Sequence, residues 1–332
     1  MLRTTRFLAT AAALAGLTSA MVPAGAADAP GKGLTIYMQM GGNPGDGSTL
    51  ARQTGASEAA AAFGVTKFNA QFAGWAPETM IDQFKQALAA RPSCIVIMGH
   101  PGADAFSGLV KQATDQGIVV TVGNSPLTTL QADYGTKGFG YAGVDLYAGG
   151  TLTAQNMIKD GSLKSGDEAM VYGIFSQAER GLSEKGLADT LQKAGLKVDR
   201  VEISPEANSD PTLAVPVLAA YIQSHPKLKA IGTQHGGVTG VLAEVLKQAG
   251  KKPGDIEVGG IDLAPATISG LKTGYVSASL DQLLYLQGFL PVLQCVMSAK
   301  YKMPGLSFNT GAGVITPKTI EDLVPLIDAG IR

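Results

Sequence analysis

The side chains best suited to chemistry in this chain gather where short apolar runs end. Trp75, the sole tryptophan, sits in Ala73-Gly-Trp-Ala-Pro77 after one such run, and His100 sits in Gly99-His-Pro-Gly102 after the next. Asn124, His235 and Asp262 follow three others, in Gly123-Asn-Ser-Pro126, Gln234-His-Gly-Gly237 and Asp262-Leu-Ala-Pro265. Phe175 and Arg180 bound Phe175-Ser-Gln-Ala-Glu-Arg180, and Gln39 leads into Gly41-Gly-Asn-Pro-Gly-Asp-Gly47, which carries Asn43 and Asp46. Turn formation explains the Gly and Pro of these loops; it does not explain the Trp and two of the three His. The set suits a hydroxylated solute. Each hydroxyl both donates and accepts, so Asp, Asn, Gln, His and Arg are its partners, while an aromatic face covers C–H surface. Trp75 is the leading stacking candidate, the alternative being a core Trp that caps its lobe; Phe175 is a second, weighed against core packing. Asp262, once buried, would hold a hydrogen bond worth about 1.5–3 kcal/mol, and it can also cap the helix that follows.

Other chemistries are poorly supplied. Gly138-Phe-Gly-Tyr-Ala-Gly143 has the dinucleotide spacing and is expected to open a helix, but a polar segment precedes it and no acidic strand end follows. In Gly42-Asn-Pro-Gly-Asp-Gly-Ser-Thr49, Ser48 stands where a phosphate loop needs Lys. His100, His225 and His235 lie in separate segments without metal-ligand spacing, and His225 reads as a surface residue at a helix end. No local motif provides a nucleophile oriented by a base or a pair of working carboxylates. No catalytic residue, metal or cofactor is therefore assigned, and an enzyme assembled only in space is the remote alternative.

The elements that must position these side chains alternate regularly. Strand-like runs at Leu34–Met40, Val65–Phe72, Cys94–Met98 and Ile118–Gly123 are followed by amphipathic stretches such as Pro77–Ala90 and Ala103–Gln116. The rhythm resumes with Glu168–Ile174, Lys197–Ile203, Lys229–Gln234 and Glu257–Ile261, with helices expected near Gln177–Ala194, Asp210–Ser224, Val238–Ala249 and Ala264–Lys272. This is the pattern of βαβ units and parallel sheets covered on both faces. It breaks over the polar segment Asn124–Gly140, and again around Ser279–Gln282 and Phe308–Gly313, as chain crossings between two sheets would require. Ligands of open α/β sheets bind beyond the strands' carboxyl ends, so two facing sheets place the site in the cleft between them.

The N-terminus reads as an export signal over residues 1–26: Arg3 and Arg6, an apolar run from Phe7 to Val22, then Ala24-Gly-Ala26. The run is too short and too rich in Ala and Gly for a comfortable membrane span, and no Cys at the cleavage point suggests a lipid anchor. A periplasmic location follows. The remaining 306 of the 332 residues suffice for two domains. They carry 24 basic against 27 acidic residues, a mild acidity that offers nucleic acid little to hold. With 45% hydrophobic and 16% charged residues the chain is globular, not disordered. Cys94 and Cys295 are compatible with a disulfide in an oxidising compartment or with two buried thiols.

Taken in order, several segments resemble the type I periplasmic binding proteins of the ribose-binding group. They are Asn43-Pro44, Gly-Ile-Val-Val-Thr-Val-Gly-Asn-Ser over 117–125, Tyr141-Ala-Gly-Val-Asp-Leu-Tyr-Ala-Gly-Gly150, Gly259-Gly-Ile-Asp262, Leu280-Asp-Gln282 and Gln287-Gly288. The resemblance covers essentially the whole chain after residue 26. It implies an α/β fold of two Rossmann-like lobes with parallel sheets joined by three hinge crossovers: 27–144 plus 281–308, and 145–280 plus 309–332. It also implies ligand contacts at Asn43, Asn124, His235, Asp262 and Gln282. Asp145 at the first crossing completes the candidate set with Gln39, Asp46, Trp75, His100, Phe175 and Arg180. Asp262 and Gln282 keep the family's residue types. Asn124 replaces an Asp, Ser125 an Arg, His235-Gly236 an Asn-Asp pair and Gly45-Asp46 an aromatic pair, while Arg180 lies beside the expected Arg position.

The implied activity is capture of a monosaccharide or sugar alcohol by hinge closure and delivery to the permease subunits of an ABC importer, by a monomer. A sensor or chemoreceptor would use the same cleft with a different reader. A repressor of the lactose-repressor type would need a DNA-binding head where the export signal stands.

Overall fold

The computed structural model describes residues 28–160, 163–177, 179–311, 313–329 and 331–332; the expected export signal at 1–26 lies outside the described residues. Five strands build up in sequence, β1 (Thr35–Gln39), β2 (Lys67–Gln71), β3 (Cys94–Met98), β4 (Val119–Asn124) and β5 (Tyr141–Gly143), each followed by a helix on a sheet face. Five more follow: β6 (Glu168–Gly173), β7 (Lys197–Glu202), β8 (Leu228–Gly232), β9 (Glu257–Ile261) and β10 (Ala278–Asp281). The chain then returns through a long helix, Leu284–Tyr301, to β11 (Ser307–Asn309) on the first sheet, and crosses once more to β12 (Gly313–Ile315) on the second. The result is two six-stranded sheets with three crossings between them: after β5, after β10 and between β11 and β12. All described pairings are parallel except β10 with β12.

The central strands are apolar along their whole length because helices cover both faces. Cys94–Met98 is buried at every position, whereas the edge strands β2 and β7 are only partly covered. Helix Gly47–Ala62 lies against helix Leu284–Tyr301 at very short range. A methyl group at Gly288 would overlap the Arg52 carbonyl, and one at Gly55 the Tyr285 carbonyl, so this crossing requires glycine. Beneath it, Cys94 on β3 and Cys295 on the long helix are joined as a disulfide with Cα atoms 5.6 Å apart, which settles the two cysteine alternatives.

Three local expectations are corrected. The polar segment 124–140 is not a crossing between the sheets: it joins β4 to β5 of the same sheet and holds a helix at Thr128–Tyr134 and a 3-10 turn at Gly135–Lys137. Buried Leu127 and Leu130, with Tyr134 packed beside them, anchor this segment to the first core. The glycine motif 138–143 does not open a helix. It runs into β5, where Tyr141 N–H donates to Leu306 O at 2.8 Å, and the helix begins only at Leu146. Helix Gln177–Ala194 also starts later than expected, at Leu182. Among the described residues no helix is long and apolar enough to cross a membrane.

Candidate ligand-binding cleft

The carboxyl ends of both sheets converge on one cleft. An inner compartment of about 100 Å³ opens into an outer one of about 410 Å³, the two sharing several lining residues, among them Ser48, Trp75, Asn208, His235 and Asp262. The outer volume alone falls within the ~300–1,000 Å³ typical of small-molecule sites. Strand-end backbone is bent to aim three of the side chains. Trp75, Asn124 and Asp262 have φ of 61°, 65° and 71°, a left-handed conformation that Asn and Asp tolerate and Trp rarely adopts. Such strain concentrates at functional sites. Trp75 is fixed there by its N–H donating to Gly41 O at 3.0 Å. Its ring lies over Gly41 and Gly42 so closely that a Cβ on either would collide with it.

On the first-sheet side, Trp75 stacks on His100 with ring centroids 5.3 Å apart and an interplanar angle of 22°. His100 Nε2 lies 2.7 Å from Asn124 Oδ1. Because that oxygen only accepts, the proton sits on Nε2, leaving Nδ1 as an acceptor. Burial, reinforced by the Arg180 charge, holds this imidazole down to a pKa of about 3. The Asn124 amide donates to Gln287 Oε1 at 3.0 Å and more distantly to Gln282 Oε1 at 3.4 Å. Gln282 in turn donates to Asp262 Oδ1 at 2.7 Å. A polar chain thus runs from β3 and β4 through the second crossing to the end of β9. Burial pushes the Asp262 carboxyl up, opposed by the Gln282 hydrogen bond and the Arg52 charge.

His235 is equally constrained. Its Nδ1 accepts from Val238 N–H at 3.2 Å, capping helix Gly236–Gln248, and its Nε2 meets Asn208 Oδ1 at 3.1 Å. Both ring nitrogens are therefore engaged within the protein, and burial followed by the Arg180 charge lowers its pKa to about 3.

Of the candidate residues, the cleft brings together Trp75, His100, Asn124, Arg180, His235, Asp262 and Gln282 in the inner compartment, and Asn43 and Asp46 in the outer one. Three candidates lie elsewhere. Gln39 is fully buried under the strand ends, donating to Met80 O at 2.6 Å and accepting from Met98 N–H at 3.0 Å, so it braces β1 against its neighbours. Asp145 is exposed at the first crossing and accepts from Ala148 N–H at 3.1 Å, holding the start of the helix at Leu146. Phe175 packs against the core beside β6, with the Arg200 guanidinium 5.8 Å from its ring centre. Sequence reasoning missed Arg52, Gln177 and Asn208, which also line the inner compartment. Arg52 is 1% exposed and donates from Nη1 to Met40 O at 2.6 Å, while its Nε and Nη2 have no partner among the described residues. Burial draws its pKa down to about 10. The available signal was its place on the buried small-residue face of its helix, with Ala51, Gly55, Ala56 and Ala59.

The geometry has counterparts among known proteins. Residues 44–302 match the periplasmic binding protein domain family. A xylose/arabinose-binding protein of Sulfolobus acidocaldarius is 27% identical over 256 residues, 73% of this chain, and the match spans 61% of that relative's length. A solute-binding protein from Burkholderia graminis, solved with D-arabinose, superposes with a TM-score of 0.74 at 23% identity, covering 86% of this chain and 96% of that one. A carbohydrate transporter protein from Acidothermus cellulolyticus, solved with myo-inositol, gives a TM-score of 0.72 at 19% identity, covering 90% and 99%. These are binding proteins, not enzymes, and the two solved structures carry the same two-lobed fold. The chain belongs to the periplasmic binding protein domain family.

Proposed function

We propose that this chain is the periplasmic solute-binding subunit of an ABC importer. It captures a monosaccharide or sugar alcohol in the cleft and, as a monomer, delivers it to the membrane permease subunits. The two lobes are residues 27–144 with 281–308 and residues 145–280 with 309–332, and closure about the three crossings brings their strand ends onto the solute. The observation that carries this reading is the hydrogen-bonded chain His100–Asn124–Gln282–Asp262, which links both sheets along the cleft. Around it, buried polar atoms lack partners among the described residues: Gln177 Oε1 and Arg52 Nε and Nη2. Hydroxyl groups, which both donate and accept, satisfy such atoms, and Trp75 covers the C–H surface between them. The pentose named for the archaeal relative and the arabinose and inositol held by the structural neighbours belong to the same chemical class.

Bound solute stabilises the closed form through contacts with both walls, and the permease reads that form. A micromolar dissociation constant, about −8 kcal/mol, is within reach of a few charge-assisted hydrogen bonds and one stacking contact. Calorimetric titration of residues 27–332 with monosaccharides, neutral and acidic, and with sugar alcohols tests the reading. One saturable site for a member of these classes is expected. No heat and no thermal shift with any of them would overturn it.

A further inference from the structure

We infer that the solute carries a carboxylate, a sugar acid of the aldonate or uronate type, gripped by Arg52 and Arg180. This deepens the solute-capture reading and rests on it. Arg52 spends only Nη1 on the protein, donating to Met40 O. Its unpartnered groups are Nε and Nη2, the two that form the side-on fork by which guanidinium takes a carboxylate through two parallel hydrogen bonds. The side chain is 1% exposed yet lines the inner compartment, so water does not freely satisfy that fork. Arg180 lines the same compartment, and among the described residues its side chain makes no hydrogen bond or ion pair.

The charges facing these two cations do not balance them. Among the described residues Asp262 is the one carboxylate lining the inner compartment, and both guanidinium charges act on it, so it offsets at most one of the two. Glu184, which also feels the Arg180 charge, does not line the compartment; its Oε1 accepts from Ile174 N–H at 3.3 Å, its Oε2 has no partner among the described residues, and burial pushes its carboxyl up, away from the charged form. The two imidazoles, His100 and His235, bring no compensating negative charge. One positive charge left over beside a buried guanidinium is unfavourable. A neutral sugar would meet the hydrogen-bonding need of the fork and leave the charge; a carboxylate meets both. The hydroxyls of the same molecule would then face Gln177, Asn208 and the His100 acceptor.

Matched pairs that differ only in the acid group test this: galactose with galacturonate, arabinose with arabinonate, glucitol with gluconate, titrated by calorimetry into residues 27–332. An acid should bind at least tenfold more tightly than its neutral partner and weaken as salt is raised. Arg52→Met should reduce that affinity a hundredfold or more. Arg180→Gln, farther from the glycine-dependent helix crossing, should reduce it at least tenfold and serves if Arg52→Met does not fold. Tight binding of a neutral sugar or alditol, with its acid at least tenfold weaker, would overturn this inference and leave the solute-capture reading standing. Affinity unchanged in the Arg180→Gln protein would overturn it as well. Silence from every pair, acid and neutral, from folded protein would overturn both.

Discussion

From edge to edge the first sheet runs β2-β1-β3-β4-β5-β11 and the second β7-β6-β8-β9-β10-β12, the same order displaced by five strands as far as the last. The helix crossings repeat too. Gly55 and Gly288 let two helices meet over the first sheet, and Gly150 and Gly186 do the same over the second, where a methyl on either would overlap the Ser183 or Tyr147 carbonyl. The layouts differ at the ends, β11 pairing parallel and β12 antiparallel, and in the disulfide, which only the first sheet has. The walls of the cleft differ far more. Both offer an imidazole and amide groups, but the first adds an indole and the buried Arg52, and the second adds Arg180 and the Asp262 carboxylate. The scaffold is duplicated while its strand-end loops are not. Stability and chemistry are therefore separable, and substitutions should show it.

The largest expected effect is on the stapled lobe alone. The disulfide closes a loop of sequence separation 201, so replacing Cys94 and Cys295 by Ala should cost as much as about 5 kcal/mol. Denaturant unfolding monitored with and without reductant measures it; an unshifted first-lobe transition would contradict the comparison. Acid comes next and should strike both lobes, since each contributes one imidazole held neutral. A folded pKa of about 3 for His100 and His235, against an ordinary value of about 6.5, means the unfolded chain binds protons that the folded chain refuses. The stability they lend is complete above about pH 6.5 and is lost as pH falls toward 3. Melting curves of wild type and His100→Gln across that window should diverge at neutral pH and converge in acid.

The glycine crossings sharpen the comparison further. Gly288→Ala and Gly186→Ala should each destabilise by about 1–3 kcal/mol through overpacking. Gly288→Ala should also weaken solute binding, because the Arg52 backbone must move, whereas Gly186→Ala should not; equal affinities in the two variants would break this link. Asp262→Ala should weaken binding tenfold or more with the fold retained, read by calorimetry and circular dichroism. Smallest of all, Phe175→Leu should leave affinity within about twofold, because the ring packs on the core beside β6.

The sheets were legible in the sequence because strands buried on both faces leave unbroken apolar runs such as Cys94–Met98, and because Gly and Pro mark their ends. Trp75, Asn124 and Asp262 were legible for the same reason: a strand-end position brings them to the cleft. That rule misplaced Asp145, which serves a helix start, and Gln39, whose alternation along β1 turns it inward to Met80 and Met98. It also passed over Arg52, which reaches the cleft from within a helix, 12 residues beyond the Met40 carbonyl it binds. The helix at Thr128–Tyr134 was hidden because few apolar residues, Leu130 chief among them, anchor it within a polar segment.

The most direct test of the central claim uses the sole tryptophan, which lines both compartments. Trp75 fluorescence of residues 27–332 is titrated with neutral monosaccharides, sugar alcohols and sugar acids, in wild type and Asp262→Ala. A saturable change in wild type, shifted to at least tenfold higher concentration in the variant, is the predicted result. No emission change and no thermal shift with any of these solutes would contradict the assignment of this cleft to a sugar-like solute.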